Sequence, residues 1–363
     1  MTNEKWEKVF GNGHDRTPVS DRMRQAAIFS RNKILSVYLN PRAGFRNWTE
    51  SETYDDEWMS YGFRAPDDNL YHRHPVKSFT DKLLYEVRAY LRRFPKCAGL
   101  YFDNLYPSGS LSPFHGAREL APGQYEMVCD IFPMREMMKR ALRLAAQEKR
   151  FLPGDADYPW VEAHMTDANI VPVMGLATRN LNWEMKFGRQ DWQVRFPESF
   201  HLVQSLGTQT GTVPLGIVST GGSKAERLRQ QRTLYAAGFA FDMINFTDPG
   251  SIEVNGGPLF NAMQFLVRNF GYGTNEVEHF PGYLPESNPV RCTPAQVRIT
   301  TLKHRNGKAM LLVGNLGKAA QVKLDLRALP LKNLKNAETG KNIGNDTFFL
   351  PEHDCAVLTG EWK

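Results

Sequence analysis

Four acids, Asp103, Glu162, Asp167 and Glu184, stand inside or at the ends of apolar runs of this sequence. In C-A-G-L-Y-F-D-N-L-Y-P, residues 97–107, the run Ala98–Phe102 stops at Asp103, with Tyr101 before it and Asn104 after it. Y-P-W-V-E-A-H-M-T-D-A-N holds Glu162, His164 and Asp167, and R-N-L-N-W-E-M-K-F-G-R-Q-D-W-Q holds Trp183, Glu184, Lys186 and Arg189. A single such Asp is a turn former, because its carboxylate bonds readily to nearby backbone N–H groups. Acids at the ends of successive strands of one sheet are a different matter, since strand ends of one polarity share an edge. Carboxylates and amides beside aromatic rings suit sugars, whose flat faces stack on rings and whose hydroxyls need bidentate partners. Two acids on opposite sides of a scissile bond are the minimum equipment of most glycoside hydrolases.

Asp103 and Glu184 are the expected acid pair. Asn104 can hydrogen-bond the charged form of Asp103, which fits a nucleophile or base. Glu184 lies between Trp183 and Met185, where partial desolvation would raise its pKa and suit a general acid. Lys186 and Arg189 oppose that shift if they point inward. Retention is the outcome leaned to, with no residue compelling it. Arg42, Tyr101, Asn104, Glu162, His164, Asp167, Trp183, Lys186 and Arg189 are the expected substrate contacts. Glu162 and His164 alternate with Val161 and Ala163 and so face one side of a strand. Competing readings exist for each: His164 as a hydrogen-bonded core residue, Glu184 as half of a helix salt bridge, the aromatics around Trp48 to Tyr71 as packing. A metal held by Glu162, His164 and Asp167 ranks below a sugar site, since no H-E-x-x-H pattern is present. No cofactor is expected: G-T-V-P-L-G and S-T-G-G-S lack phosphate-loop spacing.

The elements that must position these residues alternate. Ile34–Leu39 reads as a strand stopped by Asn40-Pro41. A long aromatic loop follows, then a helix from Ser78 whose Asp81 completes an S-x-x-D capping pattern. Strand 98–103 comes next, then a helix with Pro133 at its start and Met134, Met138, Ala141, Leu142 and Ala145 at helical spacing. Pro159–His164, Val173–Glu184 and Val213–Ser219 read as strands. A helix from Ser223, again with S-x-x-E, leads into Ala236–Phe246, and a last helix starts near Pro258. Alternating strands and helices imply a parallel sheet with right-handed crossovers. The expectation is a parallel (β/α) TIM-type barrel over 33–285 behind an N-terminal extension, 1–32. About six strands can be placed, whereas a closed barrel needs eight. Either the barrel is incomplete or strands lie hidden in the aromatic loops. From residue 290 the style changes. Asn306-Gly307 marks a hairpin turn, Q-V-K-L-D-L alternates, and T-F-F-L-P-E-H-D-C-A-V-L-T gives two more strands. An antiparallel β-sandwich is expected over 290–363, with the boundary in 280–289.

Composition bounds the rest. The chain has 363 residues, 41% hydrophobic and 12% aromatic, enough for a packed interior. The net charge of +6 is spread out, and the densest basic run, Lys224 to Arg232, has helical spacing with Glu226 interleaved. A solvated helix face explains it, so no nucleic-acid partner is expected. No apolar run is long enough for a membrane span, and the N-terminus shows no signal-peptide core. Localisation stays open, since a longer precursor could be secreted or periplasmic. The four cysteines are scattered, without a C-x-x-C pair. Oligomeric state is unspecified.

G-L-Y-F-D-N, E-A-H-M-T with I-V-P-V-M-G, L-N-W-E-M-K-F-G and T-G-T-V-P-L, in this order, resemble the C-terminal part of large bacterial proteins with glycoside-hydrolase-like barrels, a domain of unknown function. N-L-G-K-A-A-Q-V-K-L-D-L and F-F-L-P-E-H-D-C-A-V-L are similar to the β-domain that trails many barrel glycosidases. The resemblance covers most of residues 33–360. It implies a carbohydrate-active barrel acting on an oligo- or polysaccharide, and supplies no catalytic residue. Three functions therefore stand as expectations: a glycoside hydrolase first, a non-catalytic carbohydrate-binding protein on a degenerate barrel second, a nucleic-acid binder last.

Overall fold

A computed structural model describes residues 35–45, 50–64, 70–95, 97–151, 158–164, 170–186, 190–209, 212–217, 222–243, 267 and 269–362. The chain divides into two compact units, 1–183 and 184–363. It is mixed α/β, with one parallel sheet and several antiparallel ones.

The strands Leu35–Leu39, Cys97–Phe102, Val161–His164 and Arg179–Lys186 lie side by side in that order. All pairs are parallel, with Tyr101 opposite Glu162 and Glu162 opposite Arg179. Parallel neighbours need a returning crossover. The helices Lys77–Arg93 and Ile131–Gln147 supply two of them. Period-2 alternation then sorts the sheet's faces. Val37, Leu39, Leu100, Phe102, Val161 and Ala163 pack against Phe79, Leu83, Val87 and Leu91 of the first helix and Met134, Met138 and Ala141 of the second. Each large side chain so buried contributes up to about 1.5–3 kcal/mol. The opposite face carries Ser36, Tyr101, Glu162 and His164, joined by hydrogen bonds. Among the described residues this is an open sheet.

Several local expectations change. The helix expected from Ser78 starts at Lys77 after Val76, with no side-chain cap. Ser78 Oγ is taken by Glu57, to which it donates at 2.7 Å, and by Trp58 Nε1, which donates to it at 2.9 Å. Asp81 instead pairs with Lys77 and Arg140. The aromatic loop contains a helix, Ser51–Trp58, and a three-stranded antiparallel sheet of Ala43–Phe45, Leu70–Arg73 and Met59–Arg64. Trp58 is buried there, stacked on Tyr54 and edge-on to Phe79. The run expected as one strand from Val173 begins as a short helix, Val171–Met174, and becomes strand only at Arg179. Pro172 in the first helical turn explains the start. The helix expected near Pro258 lies outside the described residues.

In the second unit, the helix Lys224–Phe241 opens with the expected capping box: Glu226 N–H donates to Ser223 Oγ at 3.2 Å and Ser223 N–H to Glu226 Oε2 at 2.6 Å. The apolar run from Ala236 forms the buried end of this helix. Beyond it stand two antiparallel sheets. One has five strands, in the order Val277–Phe280, Val297–His304, Lys308–Asn315, Cys355–Glu361 and Lys332–Asn336. The other has three, Arg291–Thr293, Ala320–Asp325 and Thr347–Leu350. Val297, Ile299, Leu311, Val313 and Leu358 of the first sheet share a core with Val322, Leu324 and Leu350 of the second, which makes a sandwich. The hairpin at Asn306-Gly307 forms, with Gly307 at φ 93°. The outer face of the larger sheet packs Leu302, Met310, Leu312 and Val357 on Tyr235, Ala236 and Phe239 of the helix. Approach is so close at Gly314 that a Cβ there would sit 2.0 Å from the Ala236 carbonyl oxygen.

Candidate functional site

The site lies where the parallel strands of the first unit end. Asp103 follows the strand Cys97–Phe102, and its N–H donates to Leu39 O of the neighbouring strand at 2.8 Å. Its carboxylate accepts the Asn104 N–H at 2.8 Å and faces the Asn104 amide nitrogen at 3.4 Å. Asn104 has φ 57°, a left-handed conformation that Asn tolerates better than most residues. Asp103 thus shapes its own turn, and its carboxylate also faces the next strand. There, His164 Nδ1 lies 3.1 Å from Asp103 Oδ1 and 2.7 Å from the Tyr101 hydroxyl.

His164 is fully buried, and its Nε2 has no hydrogen-bond partner among the described residues. The two partners on Nδ1 make different demands. An Nδ1 proton donates to an ionised Asp103, and Tyr101 then turns its own proton away. A bare Nδ1 accepts the Tyr101 proton and faces Asp103 favourably only when Asp103 is protonated. The charge state of Asp103 and the tautomer of His164 are thus coupled by geometry.

Glu162, one turn of the pleat back from His164, is also buried. It accepts from Ser36 Oγ at 3.1 Å and from Arg179 Nη1 at 3.2 Å. Burial pushes its pKa up, and Arg179, Ser36 and Trp160 counteract only part of that rise. Arg179 in turn lies over the Trp160 ring.

Arg42, expected to touch substrate, is buried in an ion pair with Asp130. Its Nε donates to Asn104 O at 3.3 Å and its Nη2 to Tyr106 O. All its nitrogens are engaged inside the protein, so it clamps the loop that follows Asp103. Asp130 completes the clamp by accepting the Ser108 N–H at 2.9 Å. Sequence reasoning missed Asp130, whose only signal was its place just before a helix. It also missed His74, whose Nδ1 is 3.7 Å from Asp130 and whose ring stacks on His115 at 3.9 Å. Trp183, Glu184 and Lys186 belong to the strand Arg179–Lys186, with side chains outside the described set. Asp167 and Arg189 lie outside the described residues altogether. Among the described residues there is no cluster of three or more His, Cys, Asp or Glu able to hold a metal, and no helix long and apolar enough to cross a membrane.

Certain solved proteins share the fold of this chain. A noncanonic maltogenic α-amylase, AmyB from Thermotoga neapolitana, superposes with a TM-score of 0.53 at 11% identity, over 94% of this chain and 80% of that one. An α-amylase from Lactobacillus plantarum gives 0.53 at 10% identity, over 88% and 77%. At such identities the likeness shows a shared fold. No protein-family model matches the chain, and no curated protein matches it.

Proposed function

We propose that this chain is a glycoside hydrolase on a (β/α) barrel, with Asp103 and Glu184 as its acid pair and a trailing β-sandwich over 290–363. One observation carries the reading. An acid at the end of a parallel strand is bonded on one side by a backbone N–H and faced on the other by a buried imidazole from the next strand. Turn formation alone would not require that second partner.

The chemistry follows from those bonds. Donors on Asp103 favour its ionised form, which suits attack on an anomeric carbon or activation of water. Glu184 supplies the proton to the leaving oxygen. Arg42, Asp130 and Asn104 fix the direction of the Asp103 carboxylate. Tyr101 and His164 hold it from the side, and Trp183, Lys186, Asp167 and Arg189 complete the contacts to sugar hydroxyls. The fold shared with the two α-amylases supports a carbohydrate substrate by analogy.

The test is turnover on a panel of aryl glycosides and polysaccharides, for the native chain and for Asp103→Asn and Glu184→Gln. Each variant should lose more than about 10³-fold in kcat. A variant that keeps near-native turnover removes that residue from the pair. A native chain that binds but cleaves no glycoside is a carbohydrate-binding protein instead. Product stereochemistry then decides between retention and inversion.

A further inference from the structure

A cavity of about 710 Å³ opens in the first unit between the start of the helix Lys77–Arg93 and the start of Ile131–Gln147. Its place in the fold follows from connectivity. Each helix returns from the end of one parallel strand to the beginning of the next, so both begin at the edge that carries Asp103. A chain of contacts makes the same link: Asn104 O to Arg42, Arg42 to Asp130, Asp130 to His74, and His74 lines the cavity. The cavity is thus a neighbour of the Asp103 loop, separated from it by one buried ion pair.

Its lining selects a class of ligand. Two phenyl rings, Phe114 and Phe132, line it while remaining 62% and 73% exposed. Rings left in water at a cavity wall are platforms for a ligand with an apolar face. The charged residues of the wall, Lys77, Asp81, Glu136 and Arg140, sum to zero. Their charges are also already paired: Asp81 with Lys77 and Arg140, and Glu136 with Lys139. A phosphate or carboxylate ligand would meet no net positive charge in this wall, and each cation that it could approach already faces the Asp81 carboxylate. A neutral ligand rich in hydroxyls can instead add hydrogen bonds to the outer lone pairs and N–H groups and leave each pair intact. Burial also holds the pKa of His115 down, so its ring adds no positive charge near neutral pH.

We propose that this cavity is a second sugar-binding position, which takes a neutral oligosaccharide segment stacked on Phe114 and Phe132. The substrate of the Asp103 site is then a chain of several sugars rather than a small glycoside. This last step rests on the hydrolase reading; the binding itself does not.

The test is electrophoresis of the native chain in gels containing starch, xylan, galactomannan or mixed-linkage β-glucan, with polygalacturonate as the acidic comparison. At least one neutral polysaccharide should retard the native chain and Asp103→Asn equally. Phe114→Ala with Phe132→Ala should weaken retardation more than about tenfold, the scale of losing a binding hot spot. Both rings are exposed, so an unchanged melting curve shows that the double variant folds. Phe114→Tyr with Phe132→Tyr should restore retardation. The proposal is overturned if no neutral polysaccharide retards the native chain, if the double alanine variant is retarded as strongly as native, or if polygalacturonate retards it most. Loss of turnover in Asp103→Asn with retardation kept separates the two sites. Retardation without any turnover sinks the hydrolase reading and leaves this one standing.

Discussion

The parallel sheet of the first unit and the five-stranded sheet of the second are both buried, but they spend burial differently. In Lys308–Asn315 every residue after the first is buried, and both faces are apolar. Several buried polar groups in and beside this sheet are tied off: Asn315 Nδ2 donates to the Lys318 and Pro351 carbonyls, Thr300 to Phe239 O, and Asn288 to Phe280 O and Ile299 O. The parallel sheet is apolar on one face only, and the other collects Glu162, His164 and Tyr101. There the accounts do not close, since His164 Nε2 has no partner among the described residues. On the reading proposed above, the group left open at this strand end is where a ligand has something to add.

The largest effect expected is at the clamp. Asp130→Ala strands a buried guanidinium, and urea unfolding should show a loss of about 3–5 kcal/mol. A loss under about 1 kcal/mol would mean that the polar edge tolerates change like an ordinary surface, and the contrast would fail. In the sandwich, Leu311→Ala should cost about 2–5 kcal/mol through its cavity while leaving turnover per folded molecule unchanged. If turnover falls with it, the sandwich is more than a scaffold.

Two acids sharpen the contrast through pH. Burial raises the pKa of Glu162, so the native state holds that proton at pH values where the unfolded chain has lost it. Its contribution is therefore greatest at low pH and declines as pH rises through the ordinary carboxyl range towards the folded pKa. Glu162→Gln should flatten that decline in melting temperature. Asp191, in the second unit, is the reverse case. Burial pushes its pKa up, but hydrogen bonds from Arg229 at 2.6 Å and His353 at 2.8 Å outweigh it, and the pKa is lowered below its ordinary 3.8. Its stabilisation is present above that value and lost as pH falls through the folded pKa, so Asp191→Asn should flatten the acid limb. The same slope change in both variants would contradict the assignment. The smallest effect is at the capping box, where Ser223→Ala should cost about 1 kcal/mol by circular-dichroism melting.

How legible all this was depends on the range of the interaction. Ser223 with Glu226 and Asn306 with Gly307 are decided within a few residues, and the chain reads there as it folds. Ser78 has the same signature as Ser223, yet Glu57 and Trp58 claim its hydroxyl from 21 and 20 residues away. A capping motif cannot announce that a distant partner will outbid it. Val173 has the composition of a strand, and only the packing of a short helix on the core shows otherwise. At the site, Asp103, Tyr101 and His164 were singled out because strand ends share an edge. Asp130 was silent, because its meaning lies in a partner 88 residues distant.

That distance has a kinetic consequence. Closing a contact across 88 residues carries a large entropic cost unless the intervening strands and helices have already confined the chain. The loop bearing Asp103 is therefore expected to be aimed late, after the Cys97–Phe102 strand and its two crossover helices are in register. In a refolding experiment, helical signal should return before Asp103 acquires its native surroundings. For an interval, the chain would carry its architecture without its aim.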